Sequence, residues 1–180
     1  MRQIAAGLFV SLDGVVEAPE KWTGPYFNDQ VGQAVGALMA QNDALLLGRV
    51  TYQGFAAAFG GQSGGMADQM NHTPKYVVSS TLASADWQNS TLISGDVAGQ
   101  LSDQNQQPGK NIGMSGSSAL VGWLLRHDLL DRLDLLVFPV VLGRGKRLFS
   151  EPDGQVPLTL AGSEAFGTGV VHLTYTPASQ

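Results

Sequence analysis

The clearest candidate for a chemical site follows the short apolar run Ala44–Leu47. An apolar run of this length without polar alternation is typical of a strand buried on both faces. Gly48 and Arg49 end the run, and Val50–Ala58 predicts the first turns of a helix. A strand that turns through glycine into a helix offers free N–H groups and the positive end of the helix dipole to an anion. With a guanidinium at Arg49 and a hydroxyl at Thr51, the stretch is either a nucleotide-phosphate site or an ordinary turn with a solvated arginine.

The same arrangement recurs at two later strand ends. A predicted strand ends at Ser79 and is followed by Ser80, so two hydroxyls stand where they could meet a phosphate or a ribose. Another short strand is followed by Gly116, Ser117 and Ser118, just before a predicted helix. Glycine at this place lets a ligand approach the backbone closely, and the serine amides would point at it. Each motif alone is weak, because none matches the dinucleotide fingerprint or the Walker loop.

An acidic residue and an aromatic loop follow the first predicted strand, Gln3–Ser11. Asp13 stands just beyond this strand, where ligands of open α/β sheets bind. Asp13 and Gly14 also form a common turn pair, and the turn is the better interpretation of these two residues alone. The loop Glu17–Asn28 carries aromatic residues, Trp22 among them, that either cap a binding cleft or plug the end of the sheet.

The remaining pattern predicts an α/β fold that becomes rich in strands towards its end. Strands that alternate with helices, followed by consecutive strands, predict a mostly parallel sheet with an antiparallel edge. The stretch Gly60–Met66 is predicted to be a flexible surface loop. Asn28 or Asp29 is the expected cap of the first helix. Helices are predicted at Gln30–Gln41, Val97–Gln106 and Ala119–His127, further strands at Ser90–Ile93 and Asp131–Pro139, and a hairpin at Leu158–Glu164 and Gly169–Thr176.

The composition limits the classes of function. The 180 residues are 43% hydrophobic and 14% charged, which predicts one globular domain over residues 1–180. A net charge of −5 argues against a nucleic-acid partner. The sequence has no cysteine and three scattered histidines, so we expect no metal site and no disulfide. No apolar run approaches the ~20 residues of a membrane span, and we expect a soluble cytoplasmic protein without a membrane partner.

Taken in order, the motifs resemble those of the dihydrofolate reductase-like superfamily. The similarity is greater to the reductase domain of bifunctional riboflavin-biosynthesis proteins and its stand-alone bacterial relatives, and it covers nearly the whole chain. The motifs are Ser11-Leu12-Asp13-Gly14, Leu47-Gly48-Arg49-x-Thr51-Tyr52, Val78-Ser79-Ser80, Gly116-Ser117-Ser118 and Pro139-Val140-x-Leu142-Gly143-x-Gly145.

This resemblance implies a three-layer α/β/α fold and NADPH as the hydride donor. It places Gly48, Arg49 and Thr51 at the cofactor phosphates, Ser79 and Ser80 near the adenosine 2′-phosphate, and Gly116, Ser117 and Ser118 around the pyrophosphate. Asp13 would lie beside the nicotinamide and the substrate, where it would orient the substrate or assist proton transfer. The sequence departs from the folate reductases because its first helix is neutral after Asp29, where they carry an acid that binds the pterin.

Three functions are consistent with these residues. The first is an NADPH-dependent reductase of a small polar substrate, for example one related to pterins or pyrimidines. The second is 5-amino-6-(5-phosphoribosylamino)uracil reductase, in which Arg144, Lys146 or Arg147 would hold a ribose phosphate, although these residues are equally consistent with a solvated loop. The third is a non-catalytic NADPH-binding sensor. We also expect a homodimer through the apolar stretch Leu135–Leu142, whose burial within one chain is the alternative.

Overall fold

A computed structural model describes residues 1–149 and 154–178, and a single sheet lies at its centre. The strands are β1 (Ile4–Ser11), β2 (Asn42–Gly48), β3 (Lys75–Val78), β4 (Ser90–Ile93), β5 (Asn111–Met114), β6 (Arg132–Phe138), β7 (Leu158–Ala165) and β8 (Val171–Pro177). The helices are α1 (Asp29–Ala40), α2 (Arg49–Phe59), α3 (Gly65–His72), α4 (Val97–Gln106) and α5 (Ser118–Arg126).

The sheet is mixed, as the sequence predicts. Its strand order is β4-β3-β2-β5-β1-β6-β8-β7. The first six strands of the chain run parallel to one another. The last two form an antiparallel hairpin, in which β8 pairs with both β6 and β7. The parallel strands all end at one edge of the sheet, so the predicted motifs that follow β1, β2, β3 and β5 are brought to the same side of the molecule.

Helices cover both faces of the parallel part of the sheet, which confirms the predicted three-layer α/β/α fold. Helices α4 and α5 pack on one face, and α1 and the α2–α3 pair pack on the other. Strand β2 explains the arrangement, because Ala44 and Leu46 face the first layer while Leu47 faces the second. Leu46 and Leu47 are fully buried, and burial of a leucine side chain stabilises a fold by roughly 1.5–3 kcal/mol.

Two helices begin where polar side chains accept hydrogen bonds from the first turn. The Asn28 side chain accepts from the Val31 N–H at 3.0 Å, and the Asp96 side chain accepts from the Gly99 N–H at 3.0 Å. Caps of this kind contribute about 1 kcal/mol each. The cap at Asn28 fixes where α1 begins over the sheet, and α1 forms one wall of the candidate site.

The prediction of a surface loop over Gly60–Met66 is wrong at its end, because α3 begins at Gly65. Contacts from residues beyond its C-terminus stabilise this helix. The buried Lys75 Nζ donates to the Met70 carbonyl oxygen at 2.6 Å, near the end of α3, and lies 4.2 Å from the centre of the Trp87 ring. A cation beside the last carbonyls of a helix stabilises its C-terminus, and the glycine-rich start of α3 gives no local sign of it.

Of the two explanations for the apolar stretch Leu135–Leu142, a dimer interface or burial within one chain, the position of β6 favours burial within one chain. This strand lies inside the sheet between β1 and β8, and Leu136 and Phe138 are almost fully buried within one chain. The exposed edge is β7, in which every residue after Leu158 is exposed. Among the described residues, no helix is long and apolar enough to cross a bilayer.

Candidate functional site

The N-termini of α2 and α5 lie side by side at the carboxyl edge of the sheet. Gly48 precedes the first residue of α2 and Ser117 that of α5, and neither helix has a side-chain hydrogen bond at its cap. A Cβ atom on Gly48 would lie only 3.1 Å from the Cβ atom of Ser117. Glycine at position 48 therefore lets the two helix starts approach each other. Free N–H groups from both helices become available to one anion.

A second contact joins the same two motifs. A Cβ atom on Gly116 would lie 3.2 Å from the Thr51 Oγ1 atom, and Gly116 has a φ of 156°, which favours glycine. The peptide bond between Gly116 and Ser117 is cis. The structure thus brings together the predicted phosphate-binding residues of two separate motifs, Gly48 to Thr51 and Gly116 to Ser118.

The third predicted motif lies on the neighbouring strand. Gly48 pairs with Val78 of β3, so Ser79 and Ser80 follow directly beside it. The buried Ser79 hydroxyl oxygen accepts hydrogen bonds from the N–H groups of Thr81 and Leu82, at 3.2 and 3.1 Å, and so fixes the turn. Ser80 is exposed. Unlike Ser79, Ser80 therefore has a side chain that is free to meet a ligand.

The Arg49 side chain is exposed at the start of α2. Its one hydrogen bond among the described residues runs from Nη1 to the Gln53 Oε1 atom at 3.5 Å, which is a weak contact. A guanidinium held so loosely can turn towards a bound phosphate at small cost. Arg49 and Ser80 are thus exposed polar side chains that follow β2 and β3, beside the paired helix starts.

Asp13 joins two loops through its carboxylate. The carboxylate accepts hydrogen bonds from the Ser11 hydroxyl at 2.7 Å, the Leu142 N–H at 3.1 Å and the Gly143 N–H at 2.8 Å. The Arg147 Nη2 atom lies 3.8 Å from it. The hydrogen bond from Ser11, followed by those from Leu142 and Gly143, lowers the pKa of Asp13 to about 2. The carboxylate is therefore ionised at neutral pH and occupied by donors, which suits positioning of the loops and not donation of a proton.

The predicted substrate contacts Trp22, Arg144 and Lys146 are not among the residues that line the cleft described below. Trp22 is buried, donates from Nε1 to the Glu17 carbonyl oxygen at 2.9 Å and packs edge-to-face on Phe138. It therefore plugs the end of the sheet, the alternative that the sequence left open. Arg144 and Lys146 are exposed on the loop after β6, as expected for a solvated loop.

A cleft of about 520 Å³ runs along the sheet between α1 and the α2–α3 pair. Its floor is formed by small residues of β1 and β5, including Ala5, Gly7 and Gly113, which leave room for a flat ring. At one end it is lined by Thr51 and Met114, beside the paired helix starts. The cleft and the candidate phosphate-binding site are therefore neighbours. Its walls are apolar side chains of the three helices, among them Val35, Leu38, Met39, Phe55, Phe59, Met66 and Met70.

Charged residues of β6 line the same cleft, and the sequence reading did not assign them a role. Asp134 is almost fully buried and pairs with the Arg132 Nε atom at 2.7 Å. Its Oδ1 atom lies 2.9 Å from the His172 Nε2 atom and accepts from the Thr174 hydroxyl at 2.7 Å. Burial alone would raise the pKa of Asp134, but hydrogen bonds from His172, Arg132 and Thr174 lower it below its usual value. The sequence signal that could have pointed to this pair is Asp134, an acidic residue between two leucines of a predicted strand.

Among residues 1–149 and 154–178, no group of three or more acidic or histidine side chains could hold a metal ion.

The sequence model of the RibD C-terminal domain family matches residues 2–172, so the chain belongs to this family. This match confirms the resemblance inferred from the ordered motifs.

Two proteins of Bacillus subtilis (strain 168) are similar in sequence. YyaP is 32% identical over 101 residues, which are 56% of this chain and 53% of YyaP. YwjB is 26% identical over 174 residues, which are 94% of this chain and 95% of YwjB. Both are named as uncharacterized proteins. This chain thus spans about half the length of YyaP and nearly all of YwjB.

Two solved structures share the fold. A Shewanella sp. PV-4 protein, named as a candidate riboflavin biosynthesis protein, matches with a TM-score of 0.80 and 22% identity over 99% of this chain and 100% of its own. Dihydrofolate reductase from Enterococcus faecalis, solved with NADP(H), matches with a TM-score of 0.64 and 16% identity over 98% of this chain and 97% of its own. These matches agree with the predicted fold class.

Proposed function

We propose that this chain is an NADPH-dependent reductase that acts on a small polar substrate, for example one related to pterins or pyrimidines. The observation that carries the proposal is the contact between Gly48 and Ser117, which places two uncapped helix N-termini side by side next to the cleft. A dinucleotide needs such an anion site for its phosphates and an adjoining pocket for its reactive ring.

The predicted cofactor contacts have distinct roles in this proposal. The N–H groups at the starts of α2 and α5 would hold the pyrophosphate, and the glycines at positions 48 and 116 would let it approach. Arg49 and Ser80 would bind the 2′-phosphate, because both side chains are exposed beside this site. The bound cofactor supplies the hydride, and the chain supplies position and a site with little water.

The cleft would hold the substrate. Its small floor residues Ala5 and Gly7 would let a flat ring lie against the sheet, and its apolar walls would exclude water. Asp13 would act by positioning the loop after β1 through its bonds to Leu142 and Gly143. The proton that accompanies the hydride would come from another donor or from water, since the pKa of Asp13 is about 2.

A more specific version is 5-amino-6-(5-phosphoribosylamino)uracil reductase, favoured by membership of the RibD C-terminal domain family. That substrate carries a phosphate, and the predicted contacts Arg144 and Lys146 do not line the cleft. We therefore place the general reductase first. We expect the protein to work in the cytoplasm, where NADPH is available, and to form a homodimer.

The test is thermal unfolding of the purified protein with NADPH, with NADH and with buffer alone. A ligand at 100 times its dissociation constant stabilises the folded state by about 2.7 kcal/mol, which raises the Tm of a domain of this size by about 5–10 °C. We expect this shift with NADPH and a smaller one with NADH. The absence of a shift with either would refute the cofactor assignment. A shift without turnover of any carbonyl or imine compound would favour the sensor.

A further inference from the structure

We propose that Glu20 makes the cleft a binding site for a substrate that carries a positive charge, such as a protonated amine or a cationic nitrogen heterocycle. This inference deepens the proposed function and rests on it, because it concerns the substrate of the same cleft. It gives a role to a residue that lies outside the ordered motifs of the sequence.

Glu20 carries the uncompensated charge of the cleft. Of the described residues, three with ionisable side chains line it, namely Glu20, Arg132 and Asp134. Arg132 and Asp134 pair with each other at 2.7 Å, so their charges cancel. None of the ion pairs formed within residues 1–149 and 154–178 includes Glu20. The Glu20 carboxylate therefore leaves a mostly apolar cleft with one negative charge.

The turn that carries Glu20 is held firmly in the fold. Glu20 lies in a single 3-10 turn, Pro19–Lys21. The Pro19 carbonyl oxygen accepts hydrogen bonds from the Thr23 hydroxyl at 2.8 Å and from the Thr23 N–H at 3.0 Å. The next residue after the turn is Trp22, whose buried ring belongs to the hydrophobic core. The backbone of Glu20 is thus fixed at the wall of the cleft, while the residue remains exposed to solvent.

The basic residues near this turn do not supply a cation to the cleft. Lys21 follows Glu20 in the chain, but it is exposed and is not among the residues that line the cleft. Arg144 and Lys146 are also exposed and also absent from the lining. A phosphate or carboxylate in the cleft would therefore meet the Glu20 carboxylate without a compensating charge, and like charges repel. The arrangement favours a cation and disfavours a phosphate-bearing substrate.

The apolar lining strengthens the preference for an organic cation. Three aromatic side chains, Phe9, Phe55 and Phe59, line the same cleft. The face of an aromatic ring attracts a cation. An apolar wall also screens the attraction between a bound cation and a carboxylate less than open water does. A flat organic cation can therefore use the carboxylate and the apolar walls together.

The test compares two small bicyclic probes of similar size and opposite charge. 1-Methylquinolinium carries a permanent positive charge, and 1-naphthoate carries a negative one. An exposed ion pair contributes up to about fivefold in affinity, and repulsion of the anion adds to this difference. We therefore expect 1-methylquinolinium to bind about tenfold more tightly than 1-naphthoate, measured by ligand-observed NMR titration of the whole chain. Equal affinities, tighter binding of 1-naphthoate, or no binding of 1-methylquinolinium would overturn the inference.

Two variants locate the effect. Glu20→Gln keeps the size of the side chain and removes its charge, so it should weaken binding of 1-methylquinolinium about fivefold. Binding of 1-methylnaphthalene, an uncharged probe of the same shape, should stay unchanged, which shows that the cleft is intact. Glu17→Gln removes the same charge from the same loop. It is the matched control and should keep the preference, because Glu17 does not line the cleft and its carboxylate accepts from the Lys146 N–H.

Salt provides a second readout of the charge. Raising the salt concentration from about 0.02 M to about 0.3 M shortens the range of electrostatic attraction. The preference for 1-methylquinolinium should therefore decrease in the unchanged protein and in Glu17→Gln, whereas Glu20→Gln should show little dependence on salt. A preference that persists in Glu20→Gln would show that another group selects the cation, and the role of Glu20 would be wrong.

The outcome is separable from that of the reductase proposal. 1-Methylquinolinium should bind equally well with and without saturating NADPH, and displacement of the probe by NADPH would show that Glu20 faces the cofactor and not the substrate. If NADPH raises the Tm of the unchanged protein but the charge preference is missing, the cofactor assignment stands and the cation site is wrong. If the preference depends on Glu20 but NADPH gives no stabilisation, the cation site stands and the cofactor assignment fails.

Discussion

Substitution of Gly48 by alanine tests whether the close approach of α2 and α5 serves cofactor binding. The backbone of Gly48, with φ −79° and ψ 163°, accepts alanine without strain. The new Cβ atom would lie 3.1 Å from the Ser117 Cβ atom, whereas ordinary contacts begin near 3.4 Å. Ser117 must therefore move by a few tenths of an ångström, and the first N–H groups of α5 move with it.

The expected loss is modest and specific. A hydrogen bond to a charged group is worth about 1.5–3 kcal/mol, and a shift of this size should weaken one such bond by about half. We therefore expect Gly48→Ala to raise the NADPH dissociation constant about fivefold to tenfold, a loss of roughly 1–1.4 kcal/mol. Isothermal titration calorimetry would measure it. The free energy of unfolding without ligand should change by less than about 1 kcal/mol, since alanine replaces glycine only at a helix cap.

Three further variants make this prediction refutable. Gly48→Ala combined with Ser117→Gly removes the clash and should restore most of the affinity, with Ser117→Gly alone as its reference. Gly54→Ala, in the middle of α2 with no atom within 4 Å of the new Cβ, should raise stability by about 0.5–1 kcal/mol and leave NADPH binding unchanged. An unchanged dissociation constant for Gly48→Ala would show that the two helix starts do not bind the cofactor together.

Two other predictions concern Asp13 and the edge of the sheet. Asp13→Asn should lower the Tm at pH 7, because Asn presents an N–H where the Gly143 N–H now donates. The pKa of Asp13 is lowered from 3.8 to about 2. The difference in Tm between the unchanged protein and Asp13→Asn should therefore be largest above about pH 4 and should decrease as the pH drops towards 2. A difference in Tm that is the same at every pH would contradict this. We also expect a dimer through β7, whose Leu160 is 52% exposed. Analytical ultracentrifugation should then give a monomer for Leu160→Lys, and a monomer for the unchanged protein would refute the dimer.

Sequence patterns predicted the parts of the fold whose signals are local. The apolar run before Gly48 predicted a central strand, and of the two expected caps of the first helix, Asn28 or Asp29, the structure has Asn28. Glycine and serine after three strands marked the candidate phosphate-binding motifs, and the structure brings these motifs to one edge because parallel strands end there together. These inferences needed only neighbours in the chain and the topology of an α/β sheet.

The remaining features depend on contacts between distant residues. The partners of Asp13 at positions 142 and 143 are about 130 residues away, so its role as a link between loops could not be read from the turn around it. The pair of Arg132 and Asp134 depends on β8, which supplies His172 and Thr174. Helix α3 is fixed by Asn71, whose Nδ2 atom donates to the Phe59 carbonyl oxygen and whose Oδ1 atom accepts from the Trp87 Nε1 atom.

The most direct test of the reductase proposal is to determine the position of the nicotinamide of bound NADP⁺ on the protein. Intermolecular nuclear Overhauser effects would be recorded between the nicotinamide protons and the methyl groups of Val16 and Thr51, which line the cleft. If the chain is a reductase, the nicotinamide must enter the cleft, and both residues should give effects. Bound NADP⁺ whose adenine contacts the protein while its nicotinamide gives no effect to these methyl groups would contradict hydride transfer in this cleft.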